Sequence, residues 1–197
     1  MTATYAKHLK ILGIIALRGR ISSYELSKKL GVSVSHAQWW LQNHPQIIEV
    51  YREPKGRRTV WYGLTMIGFL LALKQPKVKE NFAWAFEQFL NNLPGVEDDP
   101  ILKNNTVKAL GNKDLSEKIK QFYLAISKGL DDLTDIYRLP DDTVVELATI
   151  VAFRQDKRVF KNVTDLYLAD VLLFKRIGIL FQTIAANFEE IMRSQDK

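Results

Sequence analysis

Ser22-Ser23-Tyr24-Glu25-Leu26-Ser27-Lys28-Lys29-Leu30-Gly31-Val32-Ser33-Val34-Ser35-His36-Ala37-Gln38-Trp39-Trp40-Leu41-Gln42-Asn43 is the stretch that decides the fold. It opens with a capping box. The Ser22 hydroxyl can accept from an orphan backbone N–H while the Glu25 carboxylate reaches back to the chain three residues earlier. A short helix follows to Leu30, with Tyr24, Leu26 and Leu30 as its inward candidates. Gly31 breaks it, and Ser33 can cap a third helix that runs to about Asn43. Two short helices joined by a tight Gly-Val turn must pack on one another, and Leu26, Leu30, Val32, Ala37 and Leu41 are spaced to do so.

Upstream, Leu9, Ile11, Leu12, Ile15 and Leu17 give residues 5–18 a helical face ended by Gly19, after which Ile21 can make one short strand pairing. Downstream, Ile47-Ile48-Glu49-Val50-Tyr51-Arg52 and Thr59-Val60-Trp61-Tyr62-Gly63-Leu64 are rich in β-branched and aromatic residues. Glu53-Pro54-Lys55-Gly56-Arg57-Arg58 between them cannot be regular, so the three runs read as a β-hairpin with a basic tip. Thr65 caps a fourth helix to about Lys74, ended near Pro76.

This order resembles the winged helix-turn-helix transcription regulators, broadly the MarR-, PadR- and ArsR-like group. Glu25 to Leu41 looks like their helix-turn-helix, and Tyr62-Gly63-Leu64-Thr65 followed by Gly68 is similar to the exit from their wing. The resemblance covers residues ~5–75 and implies a DNA-binding unit over residues 1–76. The fold class expected is mainly α with a small β-hairpin wing. A winged helix-turn-helix comes first, and an all-helical domain over residues 77–197 follows it.

Charge points the same way. Residues 1–80 carry 13 Lys and Arg against 4 Glu, net +9, whereas residues 81–197 carry 15 against 18 acids, net −3. A basic head on a slightly acidic body suits a polyanion partner. If Ala37 and Leu41 face the core, then Val34, Ser35, His36, Gln38, Trp39, Gln42 and Asn43 lie on or near the outer face of the third helix, with Ser33 at its start. In a major groove Gln and Asn can address adenine, Ser and His can reach phosphate or base edges, and Val34 can touch a thymine methyl. No Arg or Lys sits on this helix, which departs from the commoner pattern and weakens guanine readout. Phosphate affinity then falls to Lys28, Lys29 and the hairpin cations Arg52, Lys55, Arg57 and Arg58, with Lys7, Lys10, Arg18 and Arg20 where geometry allows. One of the adjacent rings Trp39 and Trp40 closes the core; Trp40 is the better candidate, and Trp39 is left open between DNA or a partner and the core.

The second half reads as helices over residues 80–93, 114–138 and 143–154, with a loop and one short helix over residues 91–112. Asp114-Leu115-Ser116-Glu117 and Thr143-Val144-Val145-Glu146 are its cap signals. A final helix from about Asn162 or Thr164 to Arg193 carries a seam of Leu173, Ile177, Leu180, Ile184, Phe188 and Ile191 that suits a partner helix, hence a homodimer. A second reading gives this half an effector pocket lined by aromatics such as Phe122, Tyr123, Tyr137 and Phe174; a third makes it a monomeric helical domain.

Several classes are disfavoured. Cysteine is absent, which removes disulfides, thiolate catalysis and thiolate-bound metal. His8, His36 and His44 lack metal-ligand spacing. The pairs Asp98-Asp99, Asp131-Asp132 and Asp141-Asp142 stand beside no nucleophile or glycine-rich loop, and they read as caps or solvated residues. No enzyme, cofactor or metal is therefore expected. The chain start does not read as a secretory signal and no apolar run suits a membrane helix, so the expected location is the cytoplasm. The partners expected are double-stranded DNA and a second copy of the chain, with no membrane. The rivals are a winged helix that docks on protein in an assembly, and a plasmid or phage replication or partition protein with the same head.

Overall fold

The computed structural model describes residues 3–52, 59–92, 100–133 and 141–156. Over these residues the protein is mainly helical with one small antiparallel sheet. The first helices and strands are α1 (Ala3–Ala16), β1 (Ile21–Ser22), α2 (Ser23–Leu30), α3 (Val34–Gln42), β2 (Ile48–Arg52) and β3 (Val60–Leu64). They are followed by α4 (Met66–Ala72), α5 (Pro76–Glu80), α6 (Phe82–Asn91), α7 (Pro100–Gly111), α8 (Lys113–Gly129) and α9 (Asp141–Gln155).

The local signals around Gly31 act as their chemistry requires. Ser22 and Glu25 form the capping box, with the Ser22 N–H donating to Glu25 Oε2 at 3.1 Å and the Glu25 N–H donating to Ser22 Oγ at 3.3 Å. Gly31 ends α2 at φ 67°, a left-handed conformation open to glycine at little cost, and Ser33 then caps α3. The turn is closed by the Val32 N–H donating to the Ser27 carbonyl at 3.1 Å. Tyr24 departs from expectation. It points outward at 55% exposure, with Lys28 Nζ 4.4 Å from its ring centroid. Leu26 and Ser27 fill the buried face of α2 instead.

The sheet order is β1-β3-β2, both pairings antiparallel, with Ile21 opposite Tyr62 and Tyr51 opposite Trp61. Ile21, Ile48, Tyr62 and Leu64 are all buried. Gly63 is buried on the other face, where a Cβ would come within 2.6 Å of Tyr51 Cε2, so the Tyr51 ring lies over the glycine.

α4 is apolar on every side and correspondingly buried from Ile67 to Ala72. It packs on α1, β3, α8 and α9 and so serves both halves of the chain. Phe69 stacks on Phe89 at 4.6 Å, and the buried Ser127 hydroxyl of α8 donates to the Leu70 carbonyl at 2.6 Å. One hydrophobic core runs from Leu9 and Ile15 of α1 through Phe69 to Phe122, Tyr123 and Val144.

The second half departs from the sequence reading in its boundaries. α4 stops at Ala72, and Pro76, expected to end a helix, opens α5. A proline ring suits the first helical turn, where no N–H is needed. Asn81 then separates α5 from α6. Within the stretch read as mostly loop, residues 100–111 form the 12-residue helix α7. Asn112, not the Asp114 box, caps α8: its side chain accepts from the Asp114 and Leu115 N–H groups. α8 ends at Gly129 and passes into a 3-10 turn over Leu130–Asp132 instead of continuing to Arg138. Gly129 sits at a tight crossing, where a Cβ would meet the Ala148 carbonyl oxygen at 2.3 Å. α9 starts at Asp141, which puts Thr143 inside the helix and not at its cap. The expected final helix lies outside the described residues.

Candidate functional site

α3 buries three side chains, Ala37, Trp40 and Leu41, and these fix its rotation. Val34, Ser35, His36, Gln38, Trp39 and Gln42 are all exposed. At about 100° per residue, Ser35, Trp39 and Gln42 fall near the middle of the outward face, with Gln38 beside them. The two tryptophans are divided cleanly: Trp40 is 3% exposed and Trp39 57%.

Two of the expected contact residues spend hydrogen-bonding capacity on the helix itself. Ser33 Oγ accepts from the His36 N–H at 3.2 Å, which leaves its hydroxyl proton to donate outward. Asn43 ends the helix and its Nδ2 donates to the Trp39 carbonyl at 2.7 Å, so its amide works partly as a cap. Neither role is separable from base recognition by spacing alone.

Histidines and a lysine couple the start of α1 to α3. His36 Nε2 lies 3.4 Å from Lys7 Nζ. The His8 ring meets Trp40 edge-on at 5.4 Å and His44 at 5.0 Å, while His44 stacks on Trp40 at 4.4 Å. His44 Nδ1 is 2.7 Å from the Trp40 carbonyl oxygen. Burial holds the His8 imidazole below its ordinary value, helped by the nearby His44 and Lys7 charges. The buried Trp40 Nε1–H finds no acceptor among the described residues. Sequence reasoning missed this cluster because its members come from separate elements.

The cations divide as well. Lys7, Lys10, Arg20, Lys28 and Lys29 are exposed. Arg20 lies over the Trp61 ring at 5.2 Å, and Arg18 is paired with Glu25 at 3.5 Å. Of the hairpin cations, Arg52 is placed by its backbone pairing with Val60. Its side chain and all of Lys55, Arg57 and Arg58 lie outside the described residues.

Elsewhere, Asp131 pairs with Lys74, and Asp132 accepts from Gln155 Nε2, both structural ties. Phe122 and Tyr123, read as candidate pocket lining, are core residues. Among the described residues no group of three or more His, Cys, Asp or Glu could hold a metal ion, and no helix is long and apolar enough to cross a membrane. Comparison with protein-family models, with curated proteins and with solved structures gives no match.

Proposed function

We propose that the chain is a DNA-binding transcriptional regulator whose first 76 residues act as a winged helix-turn-helix. In this reading α3 enters the major groove, while residues 52–58 form a basic wing on the backbone or in the minor groove. The observation that carries it is the outward face of α3. Ser35, Gln38, Trp39 and Gln42 stand exposed on a helix anchored by only three buried side chains, and α3 carries no acid. Lys28 and Lys29 occupy the last turn of α2 beside it, and Glu25, the acid of that helix, is engaged by Arg18 and by the Ser22 cap. The cations of residues 52–58 join two paired strand ends next to this surface in sequence. Pairing of two chains through the expected C-terminal helix would present two copies of α3 about one helical turn apart on palindromic DNA.

The test is binding of a fluorescent random duplex of about 30 base pairs by the full chain as salt is raised. Salt-sensitive binding supports the reading; silence at low salt refutes it.

The exposed rings of Tyr24 and Trp39 favour a second reading, a winged helix that docks on protein. A docking module gains little from four cations within residues 52–58, which is why the DNA reading stands first.

A further inference from the structure

We propose that α3 reads A·T base pairs, with Trp39 packing on thymine methyl groups and Gln38 and Gln42 addressing adenine. The inference rests on the DNA-binding reading above and deepens it.

The major groove presents a limited chemistry. Guanine offers two acceptors, met best by Arg or Lys, whereas adenine pairs an acceptor with a donor and thymine adds a 5-methyl group, the one apolar feature of the base edges. The outward face of α3 answers the second set and not the first. It has no Arg or Lys, and His36, its one ionisable side chain, has Nε2 3.4 Å from Lys7 Nζ. That ring nitrogen faces a side chain of α1. What remains is two primary amides, each with the donor and acceptor that adenine requires, and one large apolar side chain held in water. Trp39 is 57% exposed. The Trp39 ring has a tilted arrangement with His36 at 6.2 Å, which leaves its outer face open. An indole in that position gains from apolar surface, and in a major groove that surface is the thymine methyl. Gln38 and Gln42 are one turn apart on the helix, so they can address successive steps of one strand.

The experiment starts from a random duplex library selected on the full chain. Enrichment of A·T pairs at the core of the selected sites is expected. Replacing thymine by uracil in that core removes the methyl groups and nothing else, and wild type should weaken by about fourfold for each methyl buried. Trp39→Ala, whose side chain is exposed and outside the core, should bind the thymine and uracil duplexes alike. A G·C-rich core overturns the inference, as does wild-type affinity indifferent to uracil or a Trp39→Ala variant that still distinguishes the two duplexes. Failure of the library to yield any bound duplex would instead overturn the DNA reading on which it rests.

Discussion

The Tyr51 phenol donates to the Asn92 main-chain carbonyl, tying the end of β2 to the C-terminal end of α6 across 41 residues of sequence. The tie is possible because Gly63, on the neighbouring strand, leaves room for the ring. It anchors the hairpin to the helical body independently of the sheet. Tyr51→Phe keeps the ring and loses the donor, and should cost about 1 kcal/mol. Urea denaturation reads this directly; an unchanged midpoint would show that the bond contributes nothing.

Gly68 has a second kind of constraint. A Cβ there would lie 2.1 Å from the Ile47 carbonyl oxygen, where α4 starts against β2. Thr65 Oγ1, which caps α4, also donates to the Gln46 carbonyl at 2.7 Å, so this junction cannot open easily. Gly68→Ala should destabilise by about 1–3 kcal/mol. Gly111, whose added Cβ meets nothing within 4 Å, gives the contrast: Gly111→Ala should stabilise by about 0.4–1 kcal/mol. Equal thermal midpoints for the two variants would refute this difference in packing.

Tyr123 is fully buried among Phe69, Phe82, Phe86 and Phe122, and its hydroxyl has no hydrogen-bond partner among the described residues. Burial pushes its ionisation well above the ordinary range. A hydroxyl left unsatisfied in an apolar core is a net cost, so Tyr123→Phe should raise stability by about 1 kcal/mol. A drop of that size would mean that the hydroxyl is satisfied after all.

His8 sets a pH dependence. Its folded value is lowered by burial and by the His44 and Lys7 charges, so the unfolded chain takes up a proton at a pH where the folded chain does not. Stability is therefore present above the ordinary imidazole range and declines as pH falls through it toward the folded value. His8→Gln should flatten this decline between pH ~7.5 and ~5.5. An unaltered slope in a denaturation series would remove His8 as the cause.

The sequence is most legible where structure is decided by neighbours along the chain. Ser22, Glu25, Gly31 and Ser33 announce α2 and α3 through caps and a left-handed turn, and Ala37 with Leu41 suffices to fix which face of α3 is outward. Misreadings arise where distant packing chooses between local options. Tyr24 fits an inward helical position by spacing, but Leu26 and Ser27 take that place and Lys28 covers the ring. Asn112 and Asp114 are both competent caps, and only the folded chain selects the first. Gly129, where α8 gives way to the 3-10 turn, lies against the Ala148 carbonyl of α9, a contact that periodicity along α8 cannot express. The His8–Trp40–His44 cluster joins α1 to α3 and the turn after it, so no single window contains it.

The proposed function requires that the α2–α3 surface and the hairpin meet a phosphate backbone. The measurement that tests it is the salt dependence of duplex binding, followed by fluorescence anisotropy. Wild type is set beside Lys28→Ala/Lys29→Ala, Lys55→Ala/Arg57→Ala/Arg58→Ala and the control Lys108→Ala/Lys113→Ala, which removes two exposed cations from α7 and α8. The first two variants should flatten the plot of log affinity against log salt by about one unit for each phosphate that is no longer neutralised, while the control keeps the wild-type slope. A wild-type chain that binds no duplex, or slopes that fall equally in all three variants, would contradict the proposal.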